Sequence, residues 1–275
     1  MRFDLRSCDS AYEFVLNVMD MSSDEYVTEL LINSRNDFEI FWKRNIEQIK
    51  NVDFSDLQIM AFHVVGTLDE CKEIRKNGLM NLQEVLKRDT VLSRMLNKCG
   101  IVFDIENRIL NCNGKCYNID YDRYHNKHFF NEIDKRLDSI AHRVYYDFCV
   151  NGFLLNDNIS NYGTNIHERP EFLMTLIELS DEVRKLDEYW RKHSRSYIVN
   201  FYVTLDQISR FNFDLDEWRD PPYDGWDGLD DDMKIKKWTL FHAMDRANDD
   251  LDMQFLYVKD DVVIPPNQIE SITEM

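Results

Sequence analysis

Two apolar runs limit what this chain can fold into. Leu57-Gln58-Ile59-Met60-Ala61-Phe62-His63-Val64-Val65 and Ser196-Tyr197-Ile198-Val199-Asn200-Phe201-Tyr202-Val203-Thr204 have the length and the β-branched and aromatic content of buried strands. The stretch between them, residues 66–195, is mostly of helical periodicity. Strands this far apart, with no regular strand and helix alternation, argue against a doubly wound parallel sheet. They predict an α+β fold: a helical N-terminal region, then a small mixed or antiparallel sheet with surrounding helices.

Ser22 and Glu25 form a capping signature, and Phe38, Phe41, Trp42, Ile46 and Ile49 make an apolar stripe on a helix from about Ser34 to Asn51. Residues 1–56 are therefore predicted to be a helical region and residues 57–275 an α+β domain. Within the latter, helices are expected over Leu68–Asn77, closed by Gly78, and over Asn81–Cys99, with a stripe that shifts near Asp89-Thr90. Ile101–Asp104 and Arg108–Asp120 read as strands around an Asn113-Gly114 hairpin turn. Further helices are expected from about Phe129 to Phe148, ended by Gly152, from Pro170 to about His193, and from about Met233 to Asn248. A strand pair, Gln254–Val258 with Val262–Ile264, closes the pattern.

Charge narrows the function. The 275 residues carry a formal net charge of -18, which disfavours non-specific nucleic-acid binding and anionic membranes, both of which need a basic surface. No apolar run approaches the ~20 residues that span a bilayer, and the N-terminus lacks the apolar core of a secretory signal. A cytoplasmic protein is expected, with its six cysteines reduced. Cys112, Cys116, His125 and His128 are zinc-ligand types at poor spacing, and Asn113-Gly114 accounts for the two cysteines as hairpin residues, so no metal is expected. The acidic stretch at about 212–232 reads as an exposed insertion. Its Asp224, Asp227 and Asp230 to Asp232 lack the spacing of a calcium loop, and Trp218, Tyr223 and Trp226 are candidate anchors for a basic protein partner.

Two stretches concentrate chemistry. In His63-Val64-Val65-Gly66-Thr67 an imidazole and a hydroxyl stand near a strand end just before a helix start. A histidine in an apolar strand is ordinarily a core residue, and Thr67-Leu68-Asp69-Glu70 reads as a capping box. The loop Tyr162-Gly163-Thr164-Asn165-Ile166-His167-Glu168-Arg169-Pro170-Glu171 offers Arg169 for a phosphate and His167 or Glu171 for proton transfer. Glu168 and Glu171 also suit the N-terminus of the helix that follows.

The sequence His63-Val64-Val65-Gly66-Thr67, a helix, and then Ile74-Arg75-Lys76-Asn77-Gly78-Leu79 resembles the first signature of the ADP-ribosyltransferase fold in its diphtheria-toxin-like and RNA phosphotransferase-like branches. The closing stretch Asp252 to Ile269, with Ile264-Pro265 and then Ile269, resembles that fold's last strand pair. The resemblance implies that NAD is the substrate, with His63 on its ribose hydroxyls, Thr67 nearby, and Tyr202 or Tyr162 stacking on nicotinamide. Where the family has a catalytic glutamate, the candidates here are Asp252 and Gln254. The implied function is transfer of ADP-ribose to a macromolecular acceptor by a bacterial or phage toxin or defence effector. The alternative is a catalytically inert acidic binding protein or inhibitor that acts by protein–protein contact.

Overall fold

Capping residues decide where most helices of this chain begin. The computed structural model describes residues 1–120, 122, 131–215, 226 and 228–275. A short strand, Arg2–Phe3 (β1), leads to Cys8–Met19 (α1), where Ser7 accepts from the Ser10 amide. Ser23–Val27 (α2) starts with the expected Ser22/Glu25 capping box and continues into a π-helical turn, Thr28–Asn33. Phe38–Lys50 (α3) is shorter than the stripe predicts, because Arg35 and Asn36 take positive φ and Asp37 then caps the new start. Gln58–Thr67 (β2) is the first predicted strand.

After β2 the expected capping box does not form. Thr67 Oγ1 bonds to Asp69 Oδ1 at 2.5 Å, Glu70 and Cys71 turn through positive φ, and the helix begins only at Lys72 (Lys72–Asn77, α4). The next helix does break where its stripe shifts. Leu82–Lys87 (α5) and Val91–Lys98 (α6) are capped separately by Asn81 and Thr90. Ile101–Asp104 (β3), Ile109–Cys112 (β4) and Lys115–Asn118 (β5) make an antiparallel sheet with Asn113-Gly114 at its turn.

Glu132–Tyr145 (α7) is followed by a strand the sequence reading missed, Asn151–Leu155 (β6), so Gly152 lies inside a strand rather than ending a helix. The helix expected over 170–193 is two, Glu171–Leu176 (α8) and Asp181–His193 (α9), because Ser180 caps a fresh start. Arg195–Thr204 (β7), Asp231–Ala247 (α10), Gln254–Tyr257 (β8) and Ile269–Glu274 (β9) complete the elements. The terminal strands do not pair as expected: β8 pairs with β6, Ile264 forms only a bridge to Leu79, and the unforeseen β9 pairs with β7.

The fold class is α+β. Two compact units are drawn from separated stretches: residues 1–62, 151–157 and 202–257 in the first, and 63–150, 158–201 and 258–275 in the second. Two of the junctions between these stretches fall within β2, at 62/63, and within β7, at 201/202. In the first unit β1 lies parallel to the start of β2, β6 pairs antiparallel through Phe62↔Phe153, and the core gathers Phe3, Phe14, Phe41, Ile49 and Met60. The second unit packs Leu96, Ile101, Leu110, Ile140, Leu173, Val183 and Trp190 in one cluster.

The described ends of the acidic stretch are exposed in part, at Gly228 and Asp230 to Asp232. Phe213, Leu215 and Trp226 are buried, and Trp226 lies over the Lys237 ammonium, 5.6 Å from its ring centre. Asp230 caps α10, Asp231 pairs with Arg210 and Asp232 with Lys236. Trp218, Tyr223, Asp224, Asp227, His125 and His128 lie outside the described residues. No helix among the described residues is long and apolar enough to cross a membrane. All six cysteines are free thiols, and burial pushes Cys71 up to about 11 and Cys149 up to about 12.

His242, on α10, is buried against Trp238 with ring centres 4.0 Å apart, and its Nδ1–H donates to the Trp238 carbonyl at 2.8 Å. Burial lowers its pKa to about 4, against the smaller opposing effects of that bond and of Asp214. Above pH 6.5 the ring is neutral in both folded and unfolded chains. Below it the unfolded chain takes up the proton first, so stability falls between pH 6.5 and 4 by about 3 kcal/mol. Urea unfolding measured across that window should show this loss, and His242→Phe should flatten it.

Candidate functional site

The two chemistry-rich stretches of the sequence meet in the second unit, at Gly66. The Gly66 amide donates to the Ile166 carbonyl at 3.1 Å, and its own carbonyl accepts from Trp190 Nε1 at 2.8 Å. A side chain at Gly66 would overlap the Glu168 carbonyl carbon and come within 2.6 Å of the Arg169 amide. The loop therefore lies directly on the end of the strand that carries His63. His63 itself is half-buried in β2.

The start of β7 and the α9 helix hold that loop in place. Ser194 Oγ donates to the Glu168 carbonyl at 2.5 Å, Ser196 Oγ to the His167 carbonyl at 2.7 Å, and Arg191 Nε to the Glu168 carboxylate at 2.7 Å. Arg169, only 7% exposed, meets Asp187 of α9 at 2.5 Å as an ion pair whose N–H does not line up with the oxygen. Its Nη1 also donates to the Thr164 carbonyl at 3.4 Å. The guanidinium expected to face a phosphate is thus neutralised internally. Thr164 Oγ1 and His167 Nδ1 are buried in the same loop without a hydrogen-bond partner.

A second polar group sits at the two ends of the loop. Glu171 accepts from Arg143 Nη2 at 2.9 Å, and Arg143 Nη1 bonds to Asp147. Tyr162 belongs with them: burial raises its phenol's pKa, the nearby Glu171 charge adds to the rise, and Arg143 opposes it. Tyr162 therefore remains a proton donor at neutral pH, beside a carboxylate that Arg143 holds in place. The sequence pointed to Tyr162 and Glu171. It did not single out Arg143, Asp147, Asp187 or Trp190, whose only local signals are the four-residue spacing of Arg143 and Asp147 and a place on a helical stripe for Trp190.

The two halves of the family resemblance also touch in this unit. Leu79 and Ile264 exchange both backbone hydrogen bonds, each at 2.9 Å, and Asn81 Nδ2 donates to the Asp260 carbonyl at 2.6 Å. Gly78 makes this approach possible: it has φ of +81°, and a Cβ there would overlap the Ile264 carbonyl oxygen. Thr67 is committed to Asp69. Tyr202, half-buried in β7, the exposed Asp252 and the half-buried Gln254 at the start of β8 belong to the first unit. No group of three or more His, Cys, Asp and Glu among the described residues is arranged to hold a metal.

Two substitutions check this construction by urea unfolding. Gly78→Ala should cost about 2 kcal/mol or more, since it adds both a forbidden conformation and an overlap. Arg169→Met alone should cost about 3 kcal/mol by leaving Asp187 buried and unpaired, while Arg169→Met with Asp187→Leu should recover most of that loss. Compared with family models, with curated proteins and with solved structures, the chain finds no match.

Proposed function

We propose that the chain is an ADP-ribosyltransferase-like protein that binds NAD and transfers ADP-ribose to a macromolecular acceptor. The observation that supports this most is the backbone pairing of Leu79 with Ile264, which joins the two stretches whose sequences carry the resemblance. Beside it stands the junction at Gly66, where the strand of His63 meets the loop between Tyr162 and Glu171.

In this reading His63 holds ribose hydroxyls and the Tyr162 phenol, kept protonated, donates to the bound molecule. The bond from the ribose carbon to nicotinamide breaks, with its electron pair leaving on nicotinamide. The acceptor's nucleophile bonds to that carbon and loses its proton to a carboxylate, for which Glu171 is the candidate in the same unit. Asp252 is shorter than the family's glutamate and Gln254 is uncharged, so slow turnover is expected. Arg169, tied to Asp187, acts by holding the loop rather than by touching phosphate.

A second reading, an acidic binding protein without turnover, is favoured by the net charge of -18. Calorimetric titration with NAD and a nicotinamide-release assay in cell lysate separate the two. Binding and release that both vanish in His63→Ala are the expected outcome; a wild-type chain that neither binds NAD nor releases nicotinamide leaves only the binding protein.

A further inference from the structure

An apolar face lies open on the first unit. The π-helical turn Thr28–Asn33 continues α2, with the Ser34 amide reaching back five residues to the Glu29 carbonyl at 2.9 Å. Its inner side is buried through Tyr26, Leu30 and Ser34. In such a turn, residues four and five places on flank the position directly above a given residue. Val27, Leu31 and Ile32 therefore share one outer face, and they are 45%, 51% and 72% exposed. An α-helical register would not set Leu31 and Ile32 side by side over Val27. π-turns are uncommon and recur at functional positions.

Charge and area indicate what covers this face. Asp20, Asp24 and Glu25 are exposed at its N-terminal end and Arg35 at its C-terminal end, while Glu29 is tied to Arg44 at 2.6 Å. The three side chains expose on the order of a few hundred Å², well short of the roughly 800 Å² per partner that a stable dimer buries. A second copy would also bring another charge of -18. We propose that this face docks a short amphipathic helix of a protein partner. Its apolar side would lie over Val27, Leu31 and Ile32, and lysine or arginine at one end would meet Asp20, Asp24 and Glu25. The site is independent of any NAD chemistry.

The test pans a displayed library of helical peptides against the full chain and against Ile32→Asp, with Val27→Asp as a second variant should the first fail to fold. The wild type should enrich peptides with an apolar face at i, i+3 or i+4, and i+7 and with basic residues at one end. By fluorescence anisotropy, the best of them should bind about tenfold more weakly to the variant and more weakly to Asp24→Lys, at unchanged thermal midpoint. No enrichment, equal affinity for Ile32→Asp, or enriched peptides without basic residues would overturn the proposal. A dimer in sedimentation velocity that Ile32→Asp dissolves would also overturn it, by giving the face to a second copy.

Discussion

Both backbone groups of Gly66 are taken, the amide by the Ile166 carbonyl and the carbonyl by the Trp190 indole, and no side chain fits between strand and loop. Buried backbone groups need partners, so the strand end can be closed only if the loop and α9 are both in place. That requirement fixes the loop's height above β2. The two serines of 194 and 196, the Arg191 clasp and the Arg169–Asp187 pair then fix its course. Tyr162 and Glu171 stand at the two ends of this clamped loop, and Arg143 holds the Glu171 carboxylate.

The protein puts several cations out of water, and each has a dedicated anion. Lys237, with no exposed surface, meets Glu39 at 2.7 Å between the Trp42 and Trp226 rings. Arg246 is held by Asp157, Asp249 and the Leu5 carbonyl, and Lys236 by Asp232 and the Lys50 carbonyl. Removing an anion from such a pair costs far more than the pair contributes, because the remaining charge stays desolvated. An acidic chain therefore spends part of its carboxylate excess internally.

What could be read in the sequence was local. Ser22 caps a helix with Glu25, and Asn113-Gly114 turns a hairpin, because a side chain and its own neighbouring amides suffice to specify these features. The break near Asp89-Thr90 was visible as a shift of the apolar stripe, and Thr90 caps the new start. Missed were β6 and β9, where Asn151-Gly152 and Glu270-Ser271 look like connections until a partner strand supplies their hydrogen bonds. Trp226 read as a surface anchor because nothing adjacent in sequence announces Lys237 beneath it. The meeting of residues 66 and 166, or of 79 and 264, was likewise out of reach: each stretch looked chemically suggestive alone, and only the folded chain joins them.

The Arg169–Asp187 pair has a consequence for temperature. Hydration of ions becomes less favourable as water warms, so the cost of burying both charges falls while their attraction remains. Heat should therefore erode the apolar packing around the loop sooner than it erodes this joint, leaving the loop among the last parts of its unit to loosen on warming.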